Sequence, residues 1–312
     1  MQGSGTFGLE AVLSSCIPPH GKILIIINGA YGRRMMQIAQ ICNIDCHAVT
    51  FTEDERPDLH IIKETLQTNS GFTHIAIVHS ETTSGIINPL KPIEGIARKH
   101  NLVYIVDAIS SFGGVPLNLA ELGIDYLVSS SNKCLEGVPG FSFVLARRNV
   151  LLSTAGWARS LSLDLLAQWR NLEADGQFRF TPPTHAILAF HQALNELEEE
   201  GGVTGRADRY RANYETLVDG MRTLGFREYI LPERRGYIVT TFLYPDHIKF
   251  DFKEFYLRLS AKNFVIYPGK LTQADSFRIG TIGRLFPADV RALLSAIRNT
   301  LVEMGIETPL SS

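Results

Sequence analysis

Two polar side chains that could act together stand after neighbouring apolar runs in the middle of the chain. Asp107 follows LVYIV at 102–106, and Lys133 ends the polar segment after IDYLVSS. A lysine among Ser, Asn and Gly can form an imine with a carbonyl, and an aspartate can hold a protonated ring nitrogen. Because open α/β sheets bind ligands outside the carboxyl ends of their strands, the pattern predicts an acid and an amine at one such edge.

A third candidate group lies at the start of the chain, in the turn Gly3-Ser4-Gly5-Thr6 before a helix-like apolar segment. Glycines let the backbone approach a ligand, and the free amides of a helix start attract an anion. Ser4, Gly5 and Thr6 are therefore a candidate phosphate site, although an ordinary helix cap is the commoner use of such a motif. Amine, acid and anion cradle together match the aldehyde, ring nitrogen and phosphate of pyridoxal phosphate.

Each of these residues also has an ordinary structural interpretation. Lys133 could be a surface lysine, and Asp107 could cap a turn or a helix. Tyr31, in the turn after the first strand, could be a core aromatic. Only the combination of residues favours a cofactor site.

The elements that would position these residues alternate between strand and helix. KILIIIN at 22–28 and THIAIVHS at 73–80 are typical of buried strands, and helix-like segments follow them. This spacing predicts an α/β fold with a mostly parallel central sheet covered by helices. After residue 147 the pattern changes, and we predict a large domain over 1–202 and a smaller C-terminal α+β domain over 203–312.

Composition limits the classes of protein that the chain can be. With 312 residues, 45% hydrophobic and 20% charged, it is typical of a soluble globular protein. The net charge of −2 argues against nucleic acid or an anionic membrane as partner. The four cysteines form no C-x-x-C pair and the nine histidines are scattered, which predicts no disulfide framework and no metal site. No apolar run suggests a membrane span or a secretion signal, so we expect a cytoplasmic protein.

The chain also resembles the class-V, fold-type-I aminotransferases that depend on pyridoxal phosphate, in their alanine–glyoxylate/serine–pyruvate group. The matching stretches extend along nearly the whole chain: QGSGTFGLEAVLSS, NGAYGRRM, HSETTSGIINP, YIVDAISSFGG, DYLVSSSNKCLEGVPGFSFV, RSLSLDLLAQWR, RFTPPTH, FVIYPGK and FRIGTIG. SNKCLEGVPGF and RSLSLDLLAQWR are long enough to be specific, whereas the GSGT turn is not. Within the group, the resemblance is greatest to the branch of phosphonate catabolism that uses 2-aminoethylphosphonate and pyruvate.

The resemblance implies a role for each matching residue. Lys133 would be the catalytic Schiff-base lysine, and Asp107 would pair with the pyridine nitrogen. The remaining cofactor contacts would be Ser4, Gly5 and Thr6 at the phosphate, Tyr31 stacked on the ring, Thr83 at the ring face or its hydroxyl region, and Thr181 at the phosphate of a neighbouring subunit's cofactor. The last contact implies a homodimer.

Two arginine positions would bind substrate. Arg278 would hold a carboxylate through a bidentate pair, although a structural salt bridge is the other interpretation. Arg33 or Arg34 would serve the phosphonate, with Arg34 preferred, although both could form a solvated helix start.

The implied reaction is a ping-pong transamination that yields phosphonoacetaldehyde and L-alanine. The alternatives are an alanine/serine–glyoxylate or –pyruvate transaminase and, less favoured, a cysteine desulfurase-like enzyme. A third alternative is an inactive chain, because family members carry a segment before the GSGT turn and this chain begins with Met1 in the turn. We expect the absence of that segment to weaken coverage of the active site and dimer contacts.

Overall fold

The computed structural model describes residues 1–271 and 274–310, and a six-stranded sheet lies at its centre. The first eight strands are β1 (Lys22–Ile27), β2 (Asp45–Thr50), β3 (Phe72–Val78), β4 (Ser80–Glu81), β5 (Ile86–Ile87), β6 (Val103–Asp107), β7 (Tyr126–Ser130) and β8 (Ser142–Ala146). The central sheet has the order β2-β1-β3-β6-β7-β8, and every neighbouring pair is parallel except β7 and β8. The prediction of a mostly parallel sheet is confirmed.

Helices cover both faces of this sheet. They are α1 (Gly5–Cys16), α2 (Ala30–Ile41), α3 (Leu59–Thr68), α4 (Leu90–Lys99), α5 (Arg148–Leu152), α6 (Leu165–Asp175), α7 (Thr184–Glu199) and α8 (Gly202–Thr223). Side chains of a strand alternate between the faces, so Ile23 and Ile25 join the core beneath α1 and α2, whereas Leu24 and Ile26 join the core beneath α3 and α4. Burial on both faces explains why β1 is a continuous apolar run.

A second, smaller core lies in the C-terminal part of the chain. It contains β9 (Val239–Leu243), α9 (Phe252–Ala261), β10 (Tyr267–Pro268), β11 (Ser276–Gly280) and α10 (Pro287–Glu303). The three strands form an antiparallel sheet of order β10-β11-β9, and Phe242, Phe255 and Phe277 are fully buried beside it. Helix α8 starts at the predicted boundary of 202/203, and the exact division into domains stays a prediction. Among the described residues, no helix is long and apolar enough to span a membrane.

Some local expectations differ from the structure for identifiable reasons. The apolar run FSFVLA at 141–146 predicts a strand buried on both faces. In the structure it is the antiparallel edge strand β8, and Leu145 is exposed. The segment LSLDLLAQWRNL at 161–172 is typical of a helix, but helix α6 begins only at Leu165, because the Asp164 side chain accepts from the Ala167 amide and caps the helix there. The two-stranded hairpin of β4 and β5 includes part of the polar segment HSETTSG at 79–85, which has no apolar pattern typical of a strand.

The sheet order also locates the place where a ligand would bind. From β1 the chain passes to β2 on one side and later to β3 on the other. Loops on either side of such a switch point diverge and leave a crevice at the carboxyl ends of the strands. Asn28 and Gly29 follow β1, and His79 and Ser80 follow β3, so these turns form opposite walls of the crevice.

Candidate active site

A cavity of about 210 Å³ lies in this crevice. Most of the predicted site residues line it together: Ser4, Gly5, Thr6, Tyr31, Arg34, Asp107 and Lys133. They come from four separate segments of the chain, and the parallel sheet brings the ends of those segments to one edge. Positions 4 and 133 are therefore neighbours in space although they are far apart in sequence.

The turn before α1 presents unpaired donors to the cavity. Ser4 is the N-cap residue, but its side chain makes no capping bond, and the first amides of a helix have no partner within the helix. Gly3 has a φ of +95°, and a Cβ at Gly5 would lie 2.6 Å from Ile109, so both positions favour glycine. Arg34 Nη1 donates to Thr6 Oγ1 at 3.3 Å and adds positive charge. The turn is thus a cradle for an anion such as a phosphate.

Asp107 ends β6 at the wall of the cavity and is only 4% exposed. Its Oδ1 accepts from the Ile109 amide at 2.9 Å. Burial raises the pKa of Asp107 to about 7, against the opposing effects of that hydrogen bond and of Arg34 and Lys133. A carboxyl group held in so little water is favourably ionised when a cationic donor enters the cavity. This is the environment that a protonated ring nitrogen requires.

The turn that carries Tyr31 is held by a buried acid, Glu81, that the sequence did not reveal as part of the site. Glu81 Oε2 accepts from the amides of Tyr31 at 3.1 Å and Gly32 at 3.4 Å. Burial raises the pKa of Glu81, and its hydrogen bonds to Thr83, Tyr31 and Gly32 oppose that rise. The Thr83 hydroxyl donates to Glu81 and accepts from the Ala30 amide at 3.2 Å. Thr83 is fully buried and supports this turn, and its contact with a cofactor ring stays a prediction.

Replacement of Gly29 by alanine is expected to disturb this support. A Cβ at Gly29 would lie 2.2 Å from Glu81 Cδ, so the carboxylate would have to leave the Tyr31 and Gly32 amides. We expect a loss of about 1–3 kcal/mol in the free energy of unfolding, measured by urea denaturation. The control is Gly95→Ala on the exposed face of α4, where no atom lies within 4 Å of the new Cβ, and this variant should gain about 0.5–1 kcal/mol. Equal unfolding midpoints for the two variants would show that Glu81 is free to move.

A larger cavity of about 600 Å³ continues from the first toward the C-terminal sheet. Tyr31, Ser110 and Lys133 line both cavities. Arg278, on β11, faces this outer cavity and is 7% exposed. Its guanidinium donates to the carbonyls of Thr82 at 2.7 Å and Pro268 at 3.2 Å.

The surroundings of Arg278 bear on its two interpretations. Burial lowers the pKa of its guanidinium, so the charge lacks full compensation. Within residues 1–271 and 274–310, no carboxylate lies within salt-bridge distance of Arg278, whereas Arg33 is paired with Glu53 at 2.5 Å. A buried arginine held by carbonyls and left without an acid is suited to an incoming anion. The structure therefore does not support the structural salt bridge.

The remaining predicted residues are placed as follows. Arg34 lines the inner cavity and its guanidinium lies 5.0 Å from the centre of the Tyr31 ring, whereas Arg33 turns toward Glu53. Of the two arginines, only Arg34 reaches the cavity. Thr181 is exposed and does not line this site, and its carbonyl accepts from the Gln2 side chain. Its predicted contact with a neighbouring subunit's cofactor stays a prediction.

Sequence reasoning missed several polar residues of the site. Ser110 and Asn132 line the inner cavity, and their signal was their position within three residues of Asp107 or Lys133. Thr82 lines the outer cavity. His79 is buried against the Ser111 hydroxyl at 2.8 Å, and burial lowers its pKa to about 4, so it is neutral at physiological pH. Glu81 could not have been recognised, because its role depends on packing beneath a turn 50 residues earlier.

The donor set fits pyridoxal phosphate. An uncapped helix start can take a phosphate, a buried carboxyl can take a cationic ring nitrogen, and Lys133 supplies an amine between them. Tyr31 supplies an aromatic face at the same cavity. A second anion would meet Arg278 across the outer cavity.

Comparisons with known proteins agree with this chemistry. The family model described as aminotransferase class-V matches residues 1–258. The chain is 52% identical over 302 residues to 2-aminoethylphosphonate–pyruvate transaminase of Klebsiella pneumoniae, an alignment that covers 96% of this chain and 82% of that protein.

Solved structures show the same fold. Ureidoglycine–glyoxylate aminotransferase of Bacillus subtilis superposes with a TM-score of 0.88 at 24% identity, covering 99% of this chain and 80% of that chain. Alanine–glyoxylate aminotransferase of Nostoc sp. superposes with a TM-score of 0.87 at 26% identity, covering 96% and 80% of the two chains. The predicted fold, type I of the pyridoxal-phosphate enzymes, is confirmed.

Proposed function

Since the chain belongs to the class-V aminotransferase family and is a pyridoxal-phosphate-dependent transaminase, we propose that it transfers the amino group of 2-aminoethylphosphonate to pyruvate. The products are phosphonoacetaldehyde and L-alanine. The observation that carries the proposal is Arg278, a buried cation without an acidic partner among the described residues, facing a cavity shared with Lys133. A transaminase needs such a cation to bind the carboxylate of its amino acceptor.

The residues of the two cavities have different roles in the proposed reaction. Pyridoxal phosphate, when bound, supplies an aldehyde that accepts amines and a ring that withdraws electrons from the reacting carbon. Ser4, Gly5 and Thr6 bind its phosphate, and Asp107 keeps its ring nitrogen protonated. Lys133 would move a proton between the reacting carbon of the substrate and a carbon of the cofactor, because its side chain lines both cavities.

Two different anions have to be accepted in turn, since one substrate carries a phosphonate and the other a carboxylate. Arg278 suits the planar carboxylate, to which a guanidinium can donate two parallel hydrogen bonds. Arg34 lies beside Thr6 in the inner cavity, and we assign the phosphonate to it. Tyr31 lies between the two arginines and lines both cavities.

A panel of amino donors and acceptors tests the proposed substrates. The purified chain, supplied with pyridoxal phosphate, is assayed for alanine formed from pyruvate and each donor. We expect 2-aminoethylphosphonate to be the preferred donor and pyruvate the preferred acceptor. The alternative, transfer from alanine or serine to glyoxylate or pyruvate, is not favoured by the similarity to the Klebsiella enzyme. A higher kcat/KM for serine with glyoxylate would overturn the assignment.

Replacement of Arg278 by glutamine is expected to raise the KM for pyruvate. Hydrogen bonds to charged groups contribute about 1.5–3 kcal/mol, which corresponds to a rise of about 10- to 100-fold. We expect kcat at saturating pyruvate to change little, because the arginine binds a part of the substrate that does not react. Arg258→Gln is the control, since Arg258 forms only surface ion pairs. An unchanged KM in Arg278→Gln would remove this residue from the substrate site.

We also propose that the enzyme is a cytoplasmic homodimer. Several large apolar side chains near the inner cavity are exposed, among them Phe178, Phe180 and Leu188. A groove of about 390 Å³ is lined by Phe178 and Phe180 together with Phe7 and Phe141, and a second subunit would cover it. Thr181 lies in this region and could then reach the partner's cofactor. Sedimentation equilibrium of the purified chain tests the dimer, and a monomer at micromolar concentration would contradict it.

A further inference from the structure

A group of buried ionic side chains lies behind the loop that carries Lys133. Arg206, on α8, is 1% exposed, and arginine is rarely fully buried unless it is paired. Its Nε donates to Glu200 Oε2 at 2.5 Å, and its Nη1 donates to the carbonyl of Cys134 at 2.7 Å. The residue next to the lysine is thus held directly by a fixed charge.

The same loop is held a second time through Glu136, whose φ of +58° lies in the left-handed region. A residue with a Cβ adopts that conformation at a cost and keeps it only where surrounding contacts impose it. The contacts are present, because the Glu136 carboxylate accepts from Arg209 Nη2 at 2.8 Å and from the Tyr210 hydroxyl at 2.5 Å. The Glu136 amide donates back to the carbonyl of Lys133 at 2.9 Å and closes the turn.

The far side of this group reaches the wall of the outer cavity. Arg209 Nη1 donates to the carbonyls of Gly283 and Leu285. Leu285 and Thr281 line the outer cavity, and they follow β11, the strand of Arg278. The group therefore connects the loop of the amine with the segment that follows the substrate-binding strand.

We propose that Glu136, Arg206 and Arg209, with Glu200 and Tyr210, position Lys133 and fix its distance from Arg278. None of the five lines the inner cavity, so they act through the loop and not on the reacting atoms. Several charge-assisted hydrogen bonds in a buried site are stiff, because each partner has little room to move without losing another. Proton transfer between two carbons depends on where the amine stands, and a displacement of about 1 Å costs up to about 100-fold in rate.

The experiment compares Glu136→Gln with Glu303→Gln in the full chain supplied with pyridoxal phosphate. The two glutamates are matched, since each forms ion pairs with two cationic side chains, but Glu303 does so on the surface. For Glu136→Gln we expect kcat to fall roughly 10- to 100-fold, with KM for pyruvate changed about twofold or less because Arg278 is untouched. Glu303→Gln is expected to keep the kcat of the unaltered chain.

A second measurement follows the lysine itself without any cofactor. In the apo chain, the rate of acetylation of Lys133 by dilute acetic anhydride is measured by peptide mass spectrometry, relative to that of exposed Lys63. We expect loosening of the loop to raise this ratio about threefold or more in Glu136→Gln and to leave it unchanged in Glu303→Gln. Glu136→Gly separates the two roles of this residue, since glycine tolerates the left-handed turn but supplies no carboxylate. It should behave as Glu136→Gln does.

Several results would contradict the inference that the Glu136 carboxylate positions Lys133. If Glu136→Gly keeps full kcat and the normal labelling ratio, only the turn conformation matters and the inference is wrong. If Glu136→Gln does not fold, Tyr210→Phe takes its place, because it removes one hydrogen bond to Glu136. This variant should show a smaller fall in kcat and a smaller rise in the labelling ratio of Lys133. If neither quantity changes, the inference is also wrong. The inference rests on the proposed role of Lys133. A chain that binds no cofactor would end both proposals, whereas an active chain with insensitive variants would end only this one.

Discussion

Replacement of Lys133 by alanine is expected to abolish transamination while leaving the chain folded. Among the residues that the structure describes, Lys133 is the only lysine that lines the inner cavity, and it lines the outer cavity as well. Without it, proton transfer at the reacting carbon has to rely on water, which general acid–base catalysis exceeds by about 100- to 10,000-fold. We therefore expect kcat to fall by up to about 10,000-fold, together with loss of the visible absorbance of the bound cofactor.

The stability of this variant separates chemistry from folding. Among the described residues, Lys133 has no salt bridge, so its truncation should change the thermal midpoint by only a few degrees. Lys63→Ala, on the exposed side of α3, is the control and should retain full activity. A Lys133→Ala chain that kept the visible absorbance and a measurable kcat would show that another amine binds the cofactor, and the assignment of the site would be wrong.

Much of the architecture follows from local patterns in the sequence. The runs that became β1, β3, β6 and β7 are apolar at nearly every position, and that pattern results from burial on both faces of a parallel sheet. Asp107 directly follows such a run, and Lys133 follows another after a short polar segment. Both could therefore be recognised in the sequence. The parallel arrangement then brings them together without any further information.

Other features depend on tertiary contacts that no local pattern contains. β8 is as apolar in sequence as β7, but it lies at the edge because the chain returns there in the opposite direction. The choice of Arg34 over Arg33 depends on Glu53, which pairs with Arg33 and removes it from the cavity side. Glu81 and Glu136 look like ordinary surface acids in the sequence. Their roles become visible only where backbone amides or arginines surround them in the folded chain.

Replacement of Asp107 by asparagine is expected to have an effect on activity second only to that of Lys133. Asparagine keeps the size of the side chain and can still accept from the Ile109 amide, but it carries no charge to keep a ring nitrogen protonated. Loss of one such electrostatic partner in a buried site lowers kcat by about 100- to 1,000-fold. Steady-state assays at saturating pyridoxal phosphate measure this loss. A kcat within a few-fold of the unaltered chain would show that the ring nitrogen has no essential partner here.

The same substitution should affect stability in the opposite direction when the cofactor is absent. Burial raises the pKa of Asp107 from 3.8 to about 7, so the folded chain holds this proton more tightly than the unfolded chain does. The contribution of the group to stability is fully present below about pH 4 and is lost as the pH rises through about 7. At pH 8 the ionised carboxylate then costs the apo chain at most about 4 kcal/mol, at about 1.4 kcal/mol per pKa unit.

Asparagine at position 107 avoids this cost because it has no proton to lose. In urea denaturation of the apo protein, Asp107→Asn should therefore be more stable than the unaltered chain at pH 8, and this difference should shrink steadily as the pH falls from about 7 toward about 4. Arg34 and Lys133 reduce the difference, since both favour the ionised carboxylate. An identical dependence on pH for both chains would show that Asp107 is ionised without penalty. The opposite signs of the two effects distinguish a residue kept for the cofactor from one kept for folding, because a structural aspartate would lose stability and activity together.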